Sequence, residues 1–390
     1  MTVPWRIPMK FLAAAGLFAL AASCAGGDVR LGVIVPLTGP YAPYGKSVLE
    51  GAQVAADAVG RSGGISGRAL VLDVKDSASQ PARAAALLSA MADAGEVRAV
   101  LGGVTSDEAL AMEPVARSRS LLLFSPTAGA PSLSGKGPFF FRNWPPDDDE
   151  AAAMAEFAAY TLHATEVLVA AEPTPYARGL AGAFAAHFDG GGRAATLWEG
   201  PADPSGFEAA LPGSPSTGQV LYVAGYGPWV AGLVRALRSG GDPRPILACG
   251  ALAEESGDWA GLDGVVSIRP ARPEGASNPE SEGFRAAYGS RFGRPPDAYA
   301  ASAYDAVRMI AAAASGEGPR DLREGLRAIR RMTGASGTVS FDETGRPAKA
   351  LRLCVIQGGV PVPLEGVLKT LLPGWQAAVA RRRFEGGPRG

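Results

Sequence analysis

The sequence predicts an α/β chain built as two doubly wound parallel-sheet lobes. Short apolar runs alternate with amphipathic stretches of helix length from Val29 onward. Several runs are apolar on both faces, as strands are when helices cover both sides of a parallel sheet. The rhythm breaks once, at Trp144-Pro145-Pro146, and restarts, so the 390 residues fall into two units of comparable size with no long flexible linker. Hydrophobic residues make up 47% of the chain, enough for two cores. Charged residues, at 19%, are too few for a disordered polyelectrolyte.

In the first unit, residues 29–35 are a strand run that stops at Pro36. Tyr44-Gly45 leads into a helix with Val48, Leu49, Ala52, Ala55, Ala56 and Val59 on one face. Gly63-Gly64-Ile65-Ser66-Gly67 is a turn, and residues 69–74 alternate as a strand. Ser79-Gln80-Pro81 opens the next helix, where proline in the first turn loses no intrahelical bond; Leu87, Leu88 and Met91 form its stripe. Residues 97–104 are a strand. Ser106-Asp107-Glu108 opens another helix, with Ser as N-cap and two acids at the favourable end of the dipole. Residues 121–124 are a short apolar strand ending at Ser125-Pro126.

In the second unit, Asp147, Asp148, Asp149 and Glu150 crowd a helix N-terminus, which is their favourable end. Strands follow at 166–170, 194–198, 219–224, 246–249 and 265–268. Helices are expected at 176–188, closed by Gly190-Gly191-Gly192, and at 228–238. Two more fall near 281–292 and 298–314. No repeat of 20–50 residues interrupts the pattern.

A formal net charge of −1 offers no general attraction to a polyanion, so nucleic acid is not expected as a partner. Two His and three Cys leave too little material for a zinc site or a disulfide framework; no metal and no cofactor is expected. Arg6 and Lys10 precede an apolar run at 11–22, about 12 residues where a bilayer span needs roughly 20. That is a secretory leader. Leu20-Ala21-Ala22-Ser23-Cys24 resembles a bacterial lipobox, which implies a lipoprotein signal peptide over 1–23, lipidation of Cys24 and a protein anchored to, not spanning, the membrane. A plain leader with Cys24 incidental is the other reading. Cys249 and Cys354 lie far apart in strand runs, and a disulfide and two buried thiols both remain open.

In open parallel sheets a ligand sits beyond the carboxyl ends of the strands. Five segments fall there: Thr38 to Tyr44, Gly102 to Ser106, Ser125 to Gly129, Pro173 to Tyr176 and Ala224 to Gly227. They supply small hydroxyls, backbone N–H groups at helix starts and aromatic rings. The N–H groups suit an anion such as a carboxylate. Rings from two facing lobes can sandwich an apolar or planar group. Taken singly, each Tyr fits a core and each Ser an ordinary helix start; it is the set, all at one end of the strands, that points to a site.

These segments resemble the type I periplasmic binding proteins, in particular the leucine/isoleucine/valine-binding receptors of ABC transporters. The resemblance runs over about 29–358. Residues 32–45 (Gly-Val-Ile-Val-Pro-Leu-Thr-Gly-Pro-Tyr-Ala-Pro-Tyr-Gly) are similar to the family's opening strand and loop, and Gly63-Gly64-Ile65 to its turn. Pro295-Pro296 with Ala303-Tyr304-Asp305-Ala306 resembles its late helix, and residues 337–345, containing Phe341-Asp342 and Gly345, its final turn. The resemblance implies two lobes joined by three crossings that close on a small ligand, placed near 143–146, 270–273 and 333–337. Lobe 1 is then 28–144 with 274–335, lobe 2 is 145–273 with 336–365, and 366–390 is an extension. It also implies that Ser106, Thr127, Ala128 and Gly129 hold a ligand carboxylate and that Tyr44, Tyr176 and Tyr226 line the other surfaces. The partners implied are a small-molecule ligand and an ABC permease of the branched-chain amino acid type, with the protein a monomer outside the cytoplasm.

Two departures stand out. Gly129 occupies a position that often carries a hydroxyl in the family. The carboxylate that pairs with a ligand ammonium is replaced by Leu252, with Glu254 and Glu255 two and three residues later as substitutes. Burying an unpaired ammonium costs several kcal/mol, so an amide, a carboxylate or an aromatic acid stands beside an amino acid as the expected ligand. An enzyme is disfavoured: there is no Gly-x-Ser-x-Gly elbow and no phosphate loop, Gly225-Tyr226-Gly227 lacks the third Gly of a dinucleotide fingerprint, and His163 and His187 fall on apparent helix faces. An envelope lipoprotein that kept two lobes but serves as a sensor or protein-binding partner is the alternative. In the tail, Leu371, Leu372, Trp375 and Val379 form an apolar stripe that suits docking on a lobe; three Arg at 381–383 are too few for a lipid-binding surface.

Overall fold

The computed structural model describes residues 27–203, 219–253, 259–271, 278–315, 321–342 and 345–385. Two separate sheets carry the chain. The first has the order β2-β1-β3-β4-β5 and is parallel throughout: β1 (Val29–Val35), β2 (Leu70–Asp76), β3 (Ala99–Gly102), β4 (Leu122–Ser125) and β5 (Phe140–Arg142). All of β3, β4 and β5 is buried, in keeping with helices on both faces. Those helices include α1 (Ala42–Arg61), α2 (Pro81–Ala94) and α3 (Ser106–Ser118).

The second sheet has the order β15-β14-β10-β9-β8-β6-β7. Its strands β6 (Glu166–Ala171), β7 (Ala194–Glu199), β8 (Val220–Ala224), β9 (Ile246–Ala248) and β10 (Val266–Pro270) run parallel. Strands β14 (Leu351–Gln357) and β15 (Val360–Pro363) add to one edge antiparallel. Helices α4 (Asp147–Glu156), α5 (Pro175–Phe188), α6 (Gly227–Ser239) and the short α7 (Gly250–Ala253) belong with this sheet. The rings of Phe184 and Tyr222 stack in its core, 4.2 Å apart.

The chain returns to the first sheet with α8 (Pro279–Phe292), α9 (Ala298–Ala314) and α10 (Leu322–Arg327). Helix α9 lies on α1 so closely that a Cβ on Gly51 would stand 2.1 Å from the Ala300 carbonyl oxygen. A small antiparallel sheet of β11 (Met332–Gly334), β12 (Gly337–Phe341) and β13 (Pro347–Ala348) follows. Phe341 of β12 packs edge-on against Phe124 and Phe141 of the first sheet, and the chain first pairs with the second sheet at Leu351. The hairpin thus occupies the stretch where the third crossing was expected.

Buried side chains brace the passages between sheets. Asn143, on the first, donates to the Ser302 carbonyl at 2.9 Å. Asp305 accepts the N–H groups of Ala335 and Ser336 at 2.7 and 2.8 Å. The last helix, α11 (Leu364–Glu385), docks on lobe 2: Trp375 meets the Phe157 ring, Gln376 donates to the Thr161 carbonyl, and Val379 is buried. Cys249 and Cys354 are both buried and are not joined in a disulfide. No helix among the described residues is long and apolar enough to cross a membrane, and the leader with Cys24 lies outside them.

Candidate functional site

The carboxyl ends of the two sheets face one another across a single cleft of about 600 Å³, counting the part open to solvent. Lobe 1 contributes Tyr44, Ser106, Thr127, Gly129 and Tyr299. The first hinge passage contributes Trp144 to Asp147 and Glu150; lobe 2 contributes Tyr176, Tyr226, Gly250, Ala251 and Ile268 to Pro270.

On the lobe 1 side the loop after β4 is tied down by hydrogen bonds within the lobe. Thr127 Oγ1 donates to the Val104 carbonyl at 2.6 Å, and the Ala128 N–H donates to Ser125 Oγ at 3.0 Å. Buried Arg142 reaches from β5 and donates to the carbonyls of Ala128 and Ala130, 3.3 and 3.0 Å away, and to Ser134 Oγ. Ser106 Oγ accepts the Ala130 N–H at 3.2 Å. Thr105, not Ser106, caps α3, accepting the Glu108 N–H. The expected cap therefore moves back one residue, and Ser106, in the first helical turn, turns its hydroxyl to the loop and the cleft.

Six aromatic rings form a continuous chain around the cleft. Trp144 lies 5.4 Å from Tyr299, which lies 5.1 Å from Tyr44. Tyr44 stacks with Tyr41 at 6.2 Å; Tyr41 meets Tyr226 across the lobes at 4.6 Å; Tyr226 meets Tyr176 at 4.8 Å. Polar contacts also cross the gap. Asp107 of lobe 1 accepts the Tyr176 N–H at 3.1 Å and the Tyr226 hydroxyl at 3.2 Å. Tyr44 Oη accepts the Gly227 N–H at 3.1 Å. These contacts describe lobes closed on one another.

The cleft is rich in buried carboxyls. Glu150 accepts the Gly250 N–H at 2.9 Å and the Tyr222 hydroxyl at 3.5 Å. Asp147 is 3% exposed, and its Oδ2 has no hydrogen-bond partner. Burial pushes both carboxyls well above the usual range; at Asp147 the charge of Arg142 opposes it and that of Asp148 adds to it, and at Glu150 the charge of Asp147 adds to it. At the cleft edge Glu172 accepts the Tyr226 N–H at 2.8 Å, and burial pushes its carboxyl up to about 7. Asp107 is raised by the same cause. Among the described residues no group of three or more His, Cys, Asp or Glu could hold a metal ion.

Of the residues singled out in the sequence, Tyr44, Ser106, Thr127, Gly129, Tyr176 and Tyr226 are brought together in this cleft. Ala128 sits among them, but its N–H and C=O are turned to Ser125 and Arg142. Leu252 is fully buried and does not line the cleft, while Glu254 and Glu255 lie outside the described residues. Asp147, Glu150, Trp144, Tyr299, Arg269 and the bridging Asp107 were not foreseen. The signal for the first pair was the spacing of Asp147 and Glu150, which puts both on one face of α4.

A family model described as periplasmic binding protein matches residues 28–360. The Leu/Ile/Val-binding protein homolog 3 of Brucella melitensis is 29% identical over 334 residues, covering 83% of this chain and 90% of the relative. The Leu/Ile/Val-binding protein BraC3 of Rhizobium johnstonii is 29% identical over 347 residues, covering 86% and 94%. Among solved structures, the leucine binding protein LivK of Thermotoga maritima superposes with a TM-score of 0.76 at 27% identity, covering 86% of this chain and 97% of that one. With two lobes, a cleft at the strand ends and a match over most of its length, the chain belongs to the periplasmic binding protein family, in the type I group that includes the Leu/Ile/Val-binding proteins.

Proposed function

We propose that this chain is the solute-binding component of an ABC transporter, working outside the cytoplasm and turning over no substrate. The observation that carries this reading is the cross-lobe cleft itself. Its walls come from both sheets, and Asp107, Tyr44 and Tyr226 make contacts that exist only when the lobes are together. The ligand class is a small amino-acid-like solute, or a carboxylate or amide of similar size; the relatives are named for leucine, isoleucine and valine. Its anionic end docks on lobe 1 at Ser106 and the Thr127–Gly129 loop, beside the N-terminus of α3. Lobe 2 then adds Tyr176 and Tyr226. Closure moves the population toward the form a permease of the branched-chain amino acid type recognises. Export through the leader and anchoring through a lipid on Cys24 complete the reading; they rest on the sequence at 20–24.

The experiment is a thermal-shift screen of the mature protein against amino acids, amides and small carboxylates. A ligand at 100 times its dissociation constant stabilises the native state by about 2.7 kcal/mol. A concentration-dependent rise in Tm, with the solute recovered unchanged, is the expected result. No shift with any solute, together with a stable protein partner in pull-down, favours the sensor or protein-binding alternative.

A further inference from the structure

Both departures from the family pattern lead to one side chain. A Cβ on Gly129 would stand 2.0 Å from Asp147 Oδ1 and 2.5 Å from its Cγ. No hydroxyl-bearing residue fits at 129 while Asp147 keeps this position. The space that such a side chain would fill holds a carboxylate instead. That carboxylate belongs to the hinge end of α4, where the Asp147 N–H donates to the Gly129 carbonyl at 2.9 Å. Leu252, at the position where a carboxylate was expected, is buried away from the cleft.

The surroundings say what Asp147 awaits. Its Oδ2 is buried and without a partner. Arg142, the cation behind it, is spent on Ala128, Ala130 and Ser134. Glu150, one turn along the same face, uses one oxygen on Gly250 and Tyr222. Asp149 pairs with Arg346 at 2.7 Å, Asp148 follows Asp147 on α4, and the buried Tyr176 and Cys249 face the pair from lobe 2. Arg269 of β10 is the cation among the lining residues. Two buried carboxyls side by side resist double ionisation, and an arriving ammonium removes that penalty.

We propose that Asp147, backed by Glu150, is the cation subsite of the cleft, receiving the ammonium of an amine-bearing solute in place of the carboxylate missing at Leu252. This rests on the solute-binding reading and deepens it: the ligand carries both an anionic end for the Ser106 and Thr127–Gly129 side and an amino group for Asp147. Gly129 is then a specificity residue, since its lack of a side chain makes room for the acid.

The test is isothermal calorimetry of the mature protein against the common L-amino acids, each paired with its 2-hydroxy acid, which carries a neutral hydroxyl in place of the ammonium. Wild type and Asp147→Asn are compared, with circular dichroism and a melt to show that the variant folds. Amino acids are expected to bind at least about 30-fold tighter than their hydroxy acids, a preference lost in Asp147→Asn, as truncating one partner of a buried charge pair implies. The wild type's preference for an amino acid over its hydroxy acid falls as the pH is lowered from 8 to 5, because the carboxyl must lose its proton to pair; taking the ratio cancels any effect of pH on closure that both ligands share. Hydroxy acids that bind as well as amino acids, or an Asp147→Asn variant that keeps the preference, overturn the subsite while leaving the receptor reading intact. If no amino acid or hydroxy acid binds, this proposal is refuted; the wider solute screen then decides the receptor reading separately. Should Asp147→Asn not fold, Glu150→Gln and the wild-type pH profile decide the matter: unchanged preference and a flat profile refute it.

Discussion

The carboxylate of Asp107 and the hydroxyl of Tyr226 meet across the two lobes at 3.2 Å, and the other oxygen of Asp107 takes the N–H of Tyr176 from the same facing lobe. One residue of α3 therefore holds two residues of lobe 2. A hydrogen bond to a charged group contributes about 1.5–3 kcal/mol. Asp107→Ala is expected to weaken solute affinity by about tenfold or more and to enlarge the unliganded protein in solution scattering, with little change in Tm, because the contact exists only between lobes. A variant with wild-type affinity and radius of gyration would show that Asp107 plays no part in closure.

Closure is expected to depend on pH. Burial raises the carboxyls of Asp107, Glu108 and Glu172; the charge of Asp107 adds to it at Glu108 and, across the gap, at Glu172, while the hydrogen bonds from Tyr176 and Tyr226 and the charge of Arg178 act in the opposite sense on Asp107. Glu172 is pushed up to about 7. A carboxyl whose pKa is higher in the closed form than in the open form binds protons more tightly when closed. Acid therefore favours closure, and the gain is lost as the pH rises through the closed-form value. Scattering of the unliganded protein from pH 5.5 to 8.5 should show a compact form giving way to a more open one. The opposite trend would mean that the acids are no more buried in the closed state than in the open one.

Ser106 and Tyr226 separate the two walls of the cleft. Ser106→Ala removes a hydroxyl that holds the Ala130 N–H and faces the cleft; Tyr226→Ala removes the ring between Tyr41 and Tyr176. Each is expected to weaken binding by about tenfold, or about 1.4 kcal/mol, while the protein still unfolds cooperatively, as for the minority of central, well-packed residues that dominate an interface. Calorimetry with the tightest solute from the screen is the measurement, and wild-type affinity in both variants would remove the pocket assignment.

The alternation of strands and helices was legible because parallel strands covered on both faces are apolar throughout, as β3 and β4 are. Helix α9 was readable from composition and length instead: residues 298–314 are rich in Ala with no Gly or Pro, nearly all of them are buried, and Asp297 caps the start. The short strands β5, β11 and β13 carry too few residues for any period to show. The cleft was legible through topology, since loops after parallel strands share one side. Its acids were not. Asp107 and Asp147 stand in first helical turns, where the dipole already accounts for a carboxylate, so the sequence offered a sufficient local reason that hid the tertiary one.

The family-like run Ala303-Tyr304-Asp305-Ala306 has a physical basis that can be tested. Asp305 is completely buried on α9 and receives the N–H groups of Ala335 and Ser336, while Lys349 donates to Ser336 Oγ at 2.7 Å. A Cβ on Gly334 would stand 2.2 Å from Asp305 Oδ1, so the glycine lets the turn approach the carboxylate. That turn leads into β12, whose Phe341 packs on the first sheet just before the chain leaves for the second. Asp305→Ala strands two buried N–H groups, at roughly 1–3 kcal/mol each. Urea unfolding should show a loss of about 3 kcal/mol. If the hairpin also sets the hinge, Asp305→Ala should increase hydrogen exchange at 332–341 more than at the cleft loops. A loss below about 0.5 kcal/mol would mean that water or a rearranged turn satisfies those groups as well as the carboxylate does.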